Sequence, residues 1–291
     1  MGNEGKMIKT KIVLDSISGA GVRLTTFEVT FPRFVLAEFN THRMLSRNAS
    51  SSRAIPIEKV IEQIQKNPSQ IVWWGKNQSG MQAKEELDAE GKAQAKTWWA
   101  MAQDKAIEYV RILANLKLHK QITNRLLEPF MNITVICTAT DWSNFFALRC
   151  HEDAQPEIRE LAFHMLRDYY NNIPRPIRSG EWHMPYIREE DEALPLDTKK
   201  KLSVARCARV SYLTHDGKRD IDKDLELYDR LLESGHMSPF EHVATPMSTL
   251  VGHAYSGNFR GWIQFRKTLN DEVRNWSKVP SRKQVDDYFR S

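Results

Sequence analysis

Two stretches near the start of the chain, residues 11–14 and 22–31, are rich in β-branched and aromatic residues and flank a glycine-containing turn, a pattern that predicts a hairpin or two sheet strands. Pro32 suits a first helical turn. Phe34, Val35, Glu38, Phe39 and His42 then recur at helical spacing, so a helix is expected to reach Thr41-His42-Arg43 before giving way to a loop. A second proline-started helix is expected from Pro56 to about Lys66. A loop over residues 73–80 and a long helical run over 81–116 follow, the latter with Trp98, Trp99, Met101, Ile107, Val110 and Leu113 as an apolar core stripe. Residues 133–138 read as a strand, and residues 142–150, 155–170, 202–212 and 222–234 as helices. Prolines and an acidic cluster make 172–197 a linker or surface crossing, and the tail from Gly257 reads as a helix with a ragged end. The expectation is an α+β fold, an antiparallel or mixed sheet packed with several long helices. It divides into a part at 1–190 and a C-terminal part at 191–291 packed into the same fold.

With 291 residues the chain can bury a substantial core without a metal or disulfide. Cys137, Cys150 and Cys207 have neither a CxxC pair nor zinc spacing, which points to a reducing, cytoplasmic compartment and away from a metal framework. The N-terminus lacks a signal-peptide core, and no apolar run is long enough to span a bilayer. A net charge of +5 suits an anionic partner, and a nucleotide or flavin phosphate explains it as well as a nucleic acid does.

The chemistry concentrates in residues 41–53, THRMLSRNASSSR, where hydroxyls, an amide and arginines gather in one segment. These groups donate to phosphate oxygens, and Arg adds a planar fork. A solvated polar loop explains the same composition. Arg149, near the end of a helix with Asn144, has the charge to stabilise an anion developing on a ring, or to pair with Glu152 or Asp153. Cys150, beside it, reads as a packed, unreactive thiol. The segment GHMSPFEH, residues 235–242, is a weak metal site and a better cofactor-side loop. Arg260, Trp262, Phe265, Arg266 and Lys267 are either an aromatic and basic nucleic-acid surface or a helix that is half core and half solvated.

Three blocks resemble the flavin-dependent thymidylate synthases. The family signature, Arg-His-Arg, seven residues, then Ser, reads here Thr41-His42-Arg43, seven residues, Ser51, with Arg53 beyond. SNFFALRCHEDAQPEIRELA (143–162) is similar to a second family block, and VARCARVSY (204–212) with GHMSPFEH to a third. The third block precedes the signature in the family and follows it here, which implies a circularly permuted member. The resemblance implies reduced FAD as cofactor, with 5,10-methylenetetrahydrofolate and NADPH as co-substrates, acting at C5 of a pyrimidine nucleotide, dUMP first. It implies a homotetramer with active sites between subunits. Carried over by position, Ser51, Ser52 and Arg53 would hold the nucleotide with Arg125 at its phosphate and Arg149 at its ring, Arg149 and Ser51 being the catalytic pair. His42, Arg43, Asn48, Asn144, Ser211, His236 and Ser238 would line the flavin. Thr41, Ala49, Glu38 and Asp153 depart from the family pattern, Glu38 and Ala49 where the nucleotide is contacted. That leaves open dCMP or UMP as substrate, a hydroxymethyl product, or a non-catalytic nucleotide or nucleic-acid binding protein.

Overall fold

The strand-forming stretches assemble into one mixed sheet, described for residues 8–210, 220–269 and 279–290 by a computed structural model. Strands β1 (Lys9–Ser18) and β2 (Arg23–Pro32) form an antiparallel hairpin with a register slip between Ile12 and Leu14. The chain then passes through a 3-10 turn into the short helix α1 (Leu36–Asn40). It re-enters the sheet as β3 (Ser46–Ala49) and leaves by α2 (Ile57–Lys66). Helix α3 (Ala89–Asn115) starts where the Asp88 carboxylate accepts from the Gly91 amide, and α4 (Lys120–Thr123) precedes β4 (Asn132–Ala139). Helices α5 (Ser143–Arg149) and α6 (Pro156–Asn171) lead to β5 (Arg175–Ile177). Helices α7 (Leu196–Arg209) and α8 (Ile221–Glu233) come next. Four short strands follow, β6 (Ala244–Pro246), β7 (Tyr255–Ser256), β8 (Phe259–Arg260) and β9 (Trp262–Gln264), then α9 (Arg282–Arg290). The main sheet runs β3-β4-β2-β1-β5, with β5 parallel to β1 and the other pairs antiparallel.

The two faces of this sheet differ sharply. Alternation along β2 and β4 sends Phe27, Val29, Phe31, Ile133, Val135 and Cys137 to one side, where they meet Trp142 and Phe145 of the α5 region and Ile158, Leu161 and Met165 of α6. Each fully buried Phe there contributes about 1.5–3 kcal/mol by leaving water. The opposite face carries Thr26, Glu28 and Thr30 across from Thr138, Ile136 and Thr134, with Ser46 and Asn48 of β3 in the same row. It is a polar face, covered by His183 and Tyr186 of the 172–197 crossing and by Cys207, Val210 and His242 of the C-terminal part.

Several expectations change. The signature segment is not a plain loop after a helix: residues 46–49 pair with β4 and are a strand. The 172–197 crossing contributes β5 to the sheet and buries His183 completely. In α3 only Ile107 and Val110 are fully buried, with Trp99 packed edge-on against Phe130, whereas Trp98 is 66% and Met101 49% exposed, so part of the expected core stripe faces outward. That helix also begins at Ala89, since residues 75 and 86 form a β-bridge before it. The tail from Gly257 is not a continuous helix. Gly257, with φ 64°, opens a two-residue turn between β7 and β8, a position that favours glycine.

Candidate functional site

The signature is positioned from both ends by the sheet. At its start, the end of α1 turns through His42, whose amide donates to Phe39 O at 3.3 Å, while the Leu45 amide donates to His42 O at 3.2 Å. At its far end, the Ser50 amide donates to Thr134 O at 2.9 Å, and the Thr134 amide donates to Ser50 Oγ at 3.3 Å. β3 lies between these anchors. The segment is therefore threaded along β4 and cannot behave as a free surface loop.

His42 and Arg149, two of the residues singled out in the sequence, come together. Helix α5 places Arg149 so that Nε donates to His42 Nε2 at 2.8 Å, and Nη2 to Thr41 Oγ1 at 3.2 Å and Glu38 O at 3.4 Å. Arg149 does not pair with Glu152 or Asp153 in these contacts. The accepting Nε2 puts the imidazole proton on Nδ1. His42 is buried with its ring edge against Phe145, and burial, reinforced by the Arg149 charge, pushes its pKa down to about 4, while a hydrogen bond with Asn144 acts the other way. The ring is neutral at pH 7. Thr41 donates to Glu38 O at 2.6 Å, so the hydroxyl in the first signature position is a seat for Arg149. An arginine at that position would bring a second guanidinium beside it. Arg47, whose pKa burial lowers, donates to His42 O at 2.5 Å, and Arg43 is exposed. Burial raises the Cys150 thiol, in line with a packed, unreactive side chain.

The nucleotide-binding candidates divide. Ser52 is buried and donates to Glu128 Oε1 at 2.7 Å; Arg33 Nη2 and Arg125 Nη1 meet that same oxygen at 2.9 and 3.0 Å. Ser51 is half-buried and Arg53 exposed. Asn124 holds the loop by donating to Ser52 O and Ile55 O at 2.7 and 3.0 Å, and Lys120 donates to Ala54 O at 2.9 Å. A cavity of about 510 Å³ opens beside Arg33, Asn40, Arg125 and Glu128. A second, of about 280 Å³, lies between α2 and the polar sheet face beside Thr30, Ser50, Ser52 and Thr134.

Among the described residues, the buried atoms without a hydrogen-bond partner include Asn48 Nδ2, His242 Nε2 and Asn132 Oδ1 on the polar side and the shielded Glu38 Oε2 on α1. Asn48, at 6% exposure, thus presents an unused donor of the kind a ring carbonyl accepts, which fits the flavin role implied for it. His236 and Ser238 are exposed at the surface end of their segment, Asn144 is exposed on α5, and Ser211 lies outside the described residues. Among the described residues no cluster of His, Cys, Asp and Glu could hold a metal ion, and no helix is long and apolar enough to cross a membrane.

Sequence reasoning missed the tail. Asn258 Nδ2 donates to Met44 O at 2.9 Å, and Gln264 Nε2 donates to Asn258 Oδ1 at 2.8 Å and to Ser46 Oγ at 3.2 Å. These amides clamp the start of β3. Trp262 is fully buried, Phe265 nearly so, Arg260 pairs with Asp141 and Arg266 with Glu241. Trp262 and Phe265 are therefore packing, and Arg260 and Arg266 are engaged in ion pairs, so these four residues do not form the aromatic and basic surface considered for nucleic acid. Block three is partly structural too. Arg206 Nη1 meets Asp191 at 2.5 Å and its Nε meets Asp224 at 3.1 Å, while Arg209 meets Asp224 at 2.5 Å.

No curated protein matches the chain by sequence. Among solved structures, a UMP/dUMP methylase PolB from Streptomyces cacaoi bound with 5-Br UMP aligns with a TM-score of 0.46 at 17% identity, over 56% of this chain and 88% of that one. The same methylase bound with 5-Br dUMP aligns with a TM-score of 0.46 at 16% identity, over 56% and 89%. Residues 23–175 match the family described as thymidylate synthase complementing protein. That match spans more than half of the chain and contains both the 41–53 segment and Arg149, and the chain belongs to this family, the flavin-dependent thymidylate synthases.

Proposed function

We propose that the protein catalyses FAD-dependent transfer of a one-carbon unit from 5,10-methylenetetrahydrofolate to C5 of a pyrimidine nucleotide, with dUMP to dTMP as the leading reaction and NADPH as reductant. The observation that carries this reading is the meeting of Arg149 with the signature at His42 and Thr41. Reduced flavin, when bound, supplies the electrons for the transfer. Asn48 would hold it through its unused buried amide, with Arg43 and the neutral His42 beside it and Asn144, Ser211, His236 and Ser238 as further lining residues. His42 keeps its proton on Nδ1 and its lone pair on Arg149, so it orients the guanidinium and is no proton donor at neutral pH. Arg149 then faces the pyrimidine ring and stabilises negative charge on a ring oxygen as C5 attacks. Ser51, Ser52 and Arg53, with Arg125, hold the phosphate. No thiol takes part, in keeping with the burial of Cys137 and Cys207. A homotetramer in a reducing, cytoplasmic setting completes the reading.

A second reading keeps the chemistry and changes the substrate. Glu38 Oε2 is shielded and has no partner among the described residues, and a carboxylate oxygen accepts from an amino or hydroxyl group, which favours dCMP or UMP and leaves methyl or hydroxymethyl products open. The test of flavin dependence is a visible absorption titration with FAD. The wild type is expected to perturb and retain the flavin spectrum, and Arg149→Ala to retain it while losing turnover. Failure of the wild type to bind FAD would refute the proposal.

A further inference from the structure

The polar face of the sheet carries a buried chain of hydrogen bonds that the proposed chemistry leaves unused. Ser16 Oγ on β1 lies 2.9 Å from His183 Nδ1, and His183 Nε2 lies 2.8 Å from Thr26 Oγ1 on β2. Thr26 Oγ1 is 2.7 Å from Thr138 Oγ1 on β4, which is 2.8 Å from His242 Nδ1. Thr26, Thr138, His183 and His242 are wholly buried and Ser16 is 2% exposed. The chain ends on His242 Nε2, a buried ring nitrogen without a partner among the described residues.

A network that served only to fasten the C-terminal part to the sheet would close at both ends, since an unmade buried hydrogen bond costs more than a made one returns. This one stays open at one end. It also has two arrangements with the same complement of protons. In one, His242 donates from Nδ1 and each hydroxyl passes its proton toward His183 and Ser16, leaving Nε2 as an acceptor. In the other, every hydrogen bond reverses and Nε2 carries the proton. Burial pushes both imidazoles down to a pKa of about 3, so neither arrangement carries charge at neutral pH. A neutral end suits a neutral ligand edge and disfavours a phosphate.

Asn48 narrows the class of ligand. In the β3–β4 register Ser46 stands opposite Thr138 and Asn48 opposite Ile136, so the Asn48 side chain shares the polar face with Thr138, one diagonal pair away. Its unused Nδ2 is a donor. The 3-10 turn Ser238–Glu241, which leads into His242, packs against β3. An edge that accepts from Asn48 and can donate to His242 is a ring carbonyl adjoining a ring N–H.

Resting on the function proposed above, we propose that His242 Nε2 is a binding contact for a heteroaromatic imide edge, the C=O and N–H pair common to isoalloxazine and uracil rings, and that Thr138, Thr26 and His183 are positioning residues that set its tautomer. The proposal assigns His242 to ligand binding, whereas His236 and Ser238 are the members of the same segment implied by the family pattern.

The experiment uses the full chain labelled with ¹⁵N at histidine, observed free, with FAD, and with dUMP. The ligand that touches His242 is expected to shift its Nε2 resonance and, through the relay, those of His183; comparing FAD with dUMP identifies which imide is bound. Thr138→Val is expected to uncouple His183 from His242 and to lower kcat about tenfold, by analogy with the lower end of the loss seen when a group that orients a metal-bound histidine is removed. Thr138→Ser restores both, and circular dichroism confirms that each variant is folded. If absorption shows FAD bound and dUMP is turned over while His242 stays unmoved, the proposal is overturned and the function stands. If Thr138→Val folds with unchanged kcat, the relay's positioning role is overturned. If FAD fails to bind and nucleotides go unchanged, the proposed function falls, and the imide contact falls with it.

Discussion

His42 should make the protein acid-sensitive within a defined pH window. Its imidazole has an ordinary pKa of 6.5 and is held at about 4 in the fold, by burial first and by the Arg149 charge second. The unfolded chain therefore takes up a proton at His42 that the native state refuses. Stability is intact above pH 6.5, declines as pH falls, and this contribution is fully lost near pH 4. The complete window corresponds to about 3 kcal/mol, and the part between pH 7 and pH 5 to about 2 kcal/mol. His183 and His242 add acid sensitivity of the same sign, so the assay must isolate His42 by difference. Urea unfolding of wild type and His42→Gln at both pH values supplies that difference, because Gln can still accept from Arg149 but does not titrate. The variant should lose about 2 kcal/mol less between pH 7 and pH 5. In Arg149→Gln, NMR titration should place the His42 pKa above 4 yet below 6.5, since burial remains. Equal losses in wild type and His42→Gln would refute the reasoning.

Three further perturbations probe other parts of the account. Gln264→Leu removes the donor to Ser46 and Asn258 and should lower the urea midpoint by the equivalent of about 1–3 kcal/mol without changing the slope. Arg206→Met withdraws the cation between Asp191 and Asp224 and should cost about 3–5 kcal/mol in the same assay. Glu128→Gln frees Ser52, Arg33 and Arg125 from a carboxylate that competes with phosphate; calorimetry should show dUMP binding about two- to fivefold tighter, the factor that 0.5–1 kcal/mol of ion pairing commands.

Much of the scaffold could be read from local pattern. The β1–β2 hairpin, β4, α2, α5, α6 and α8 all lie close to where periodicity and proline placement put them, because each buries a stripe whose spacing matches its own geometry. β3 was hidden because Ser46-Arg47-Asn48-Ala49 has no apolar alternation; backbone pairing with β4 makes it a strand. The tail misled because Trp262 and Phe265 sit at helical spacing, whereas Gly257 and Gly261, both with positive φ, were the signal that turns interrupt it. His183 sat in a proline-rich crossing where nothing local marks a buried histidine, and its partners lie on β1 and β2. Asn258 and Gln264 reach the signature across more than 200 positions of sequence, a contact that no local period encodes. The family blocks marked His42 and Arg149 separately, one for the flavin and one for the ring; their contact, and the seat that Thr41 gives Arg149, emerged only from the geometry.

The central claim is C5 one-carbon transfer on a pyrimidine nucleotide. Its most direct test is mass spectrometry of dUMP, UMP and dCMP after incubation with the purified protein, FAD, NADPH and 5,10-methylenetetrahydrofolate carrying an isotopically labelled methylene carbon. The account predicts that dUMP gains the labelled carbon as a methyl group at C5, and that Arg149→Ala, still binding FAD, gives none. A flavin-loaded wild type that leaves all three nucleotides unlabelled would contradict it.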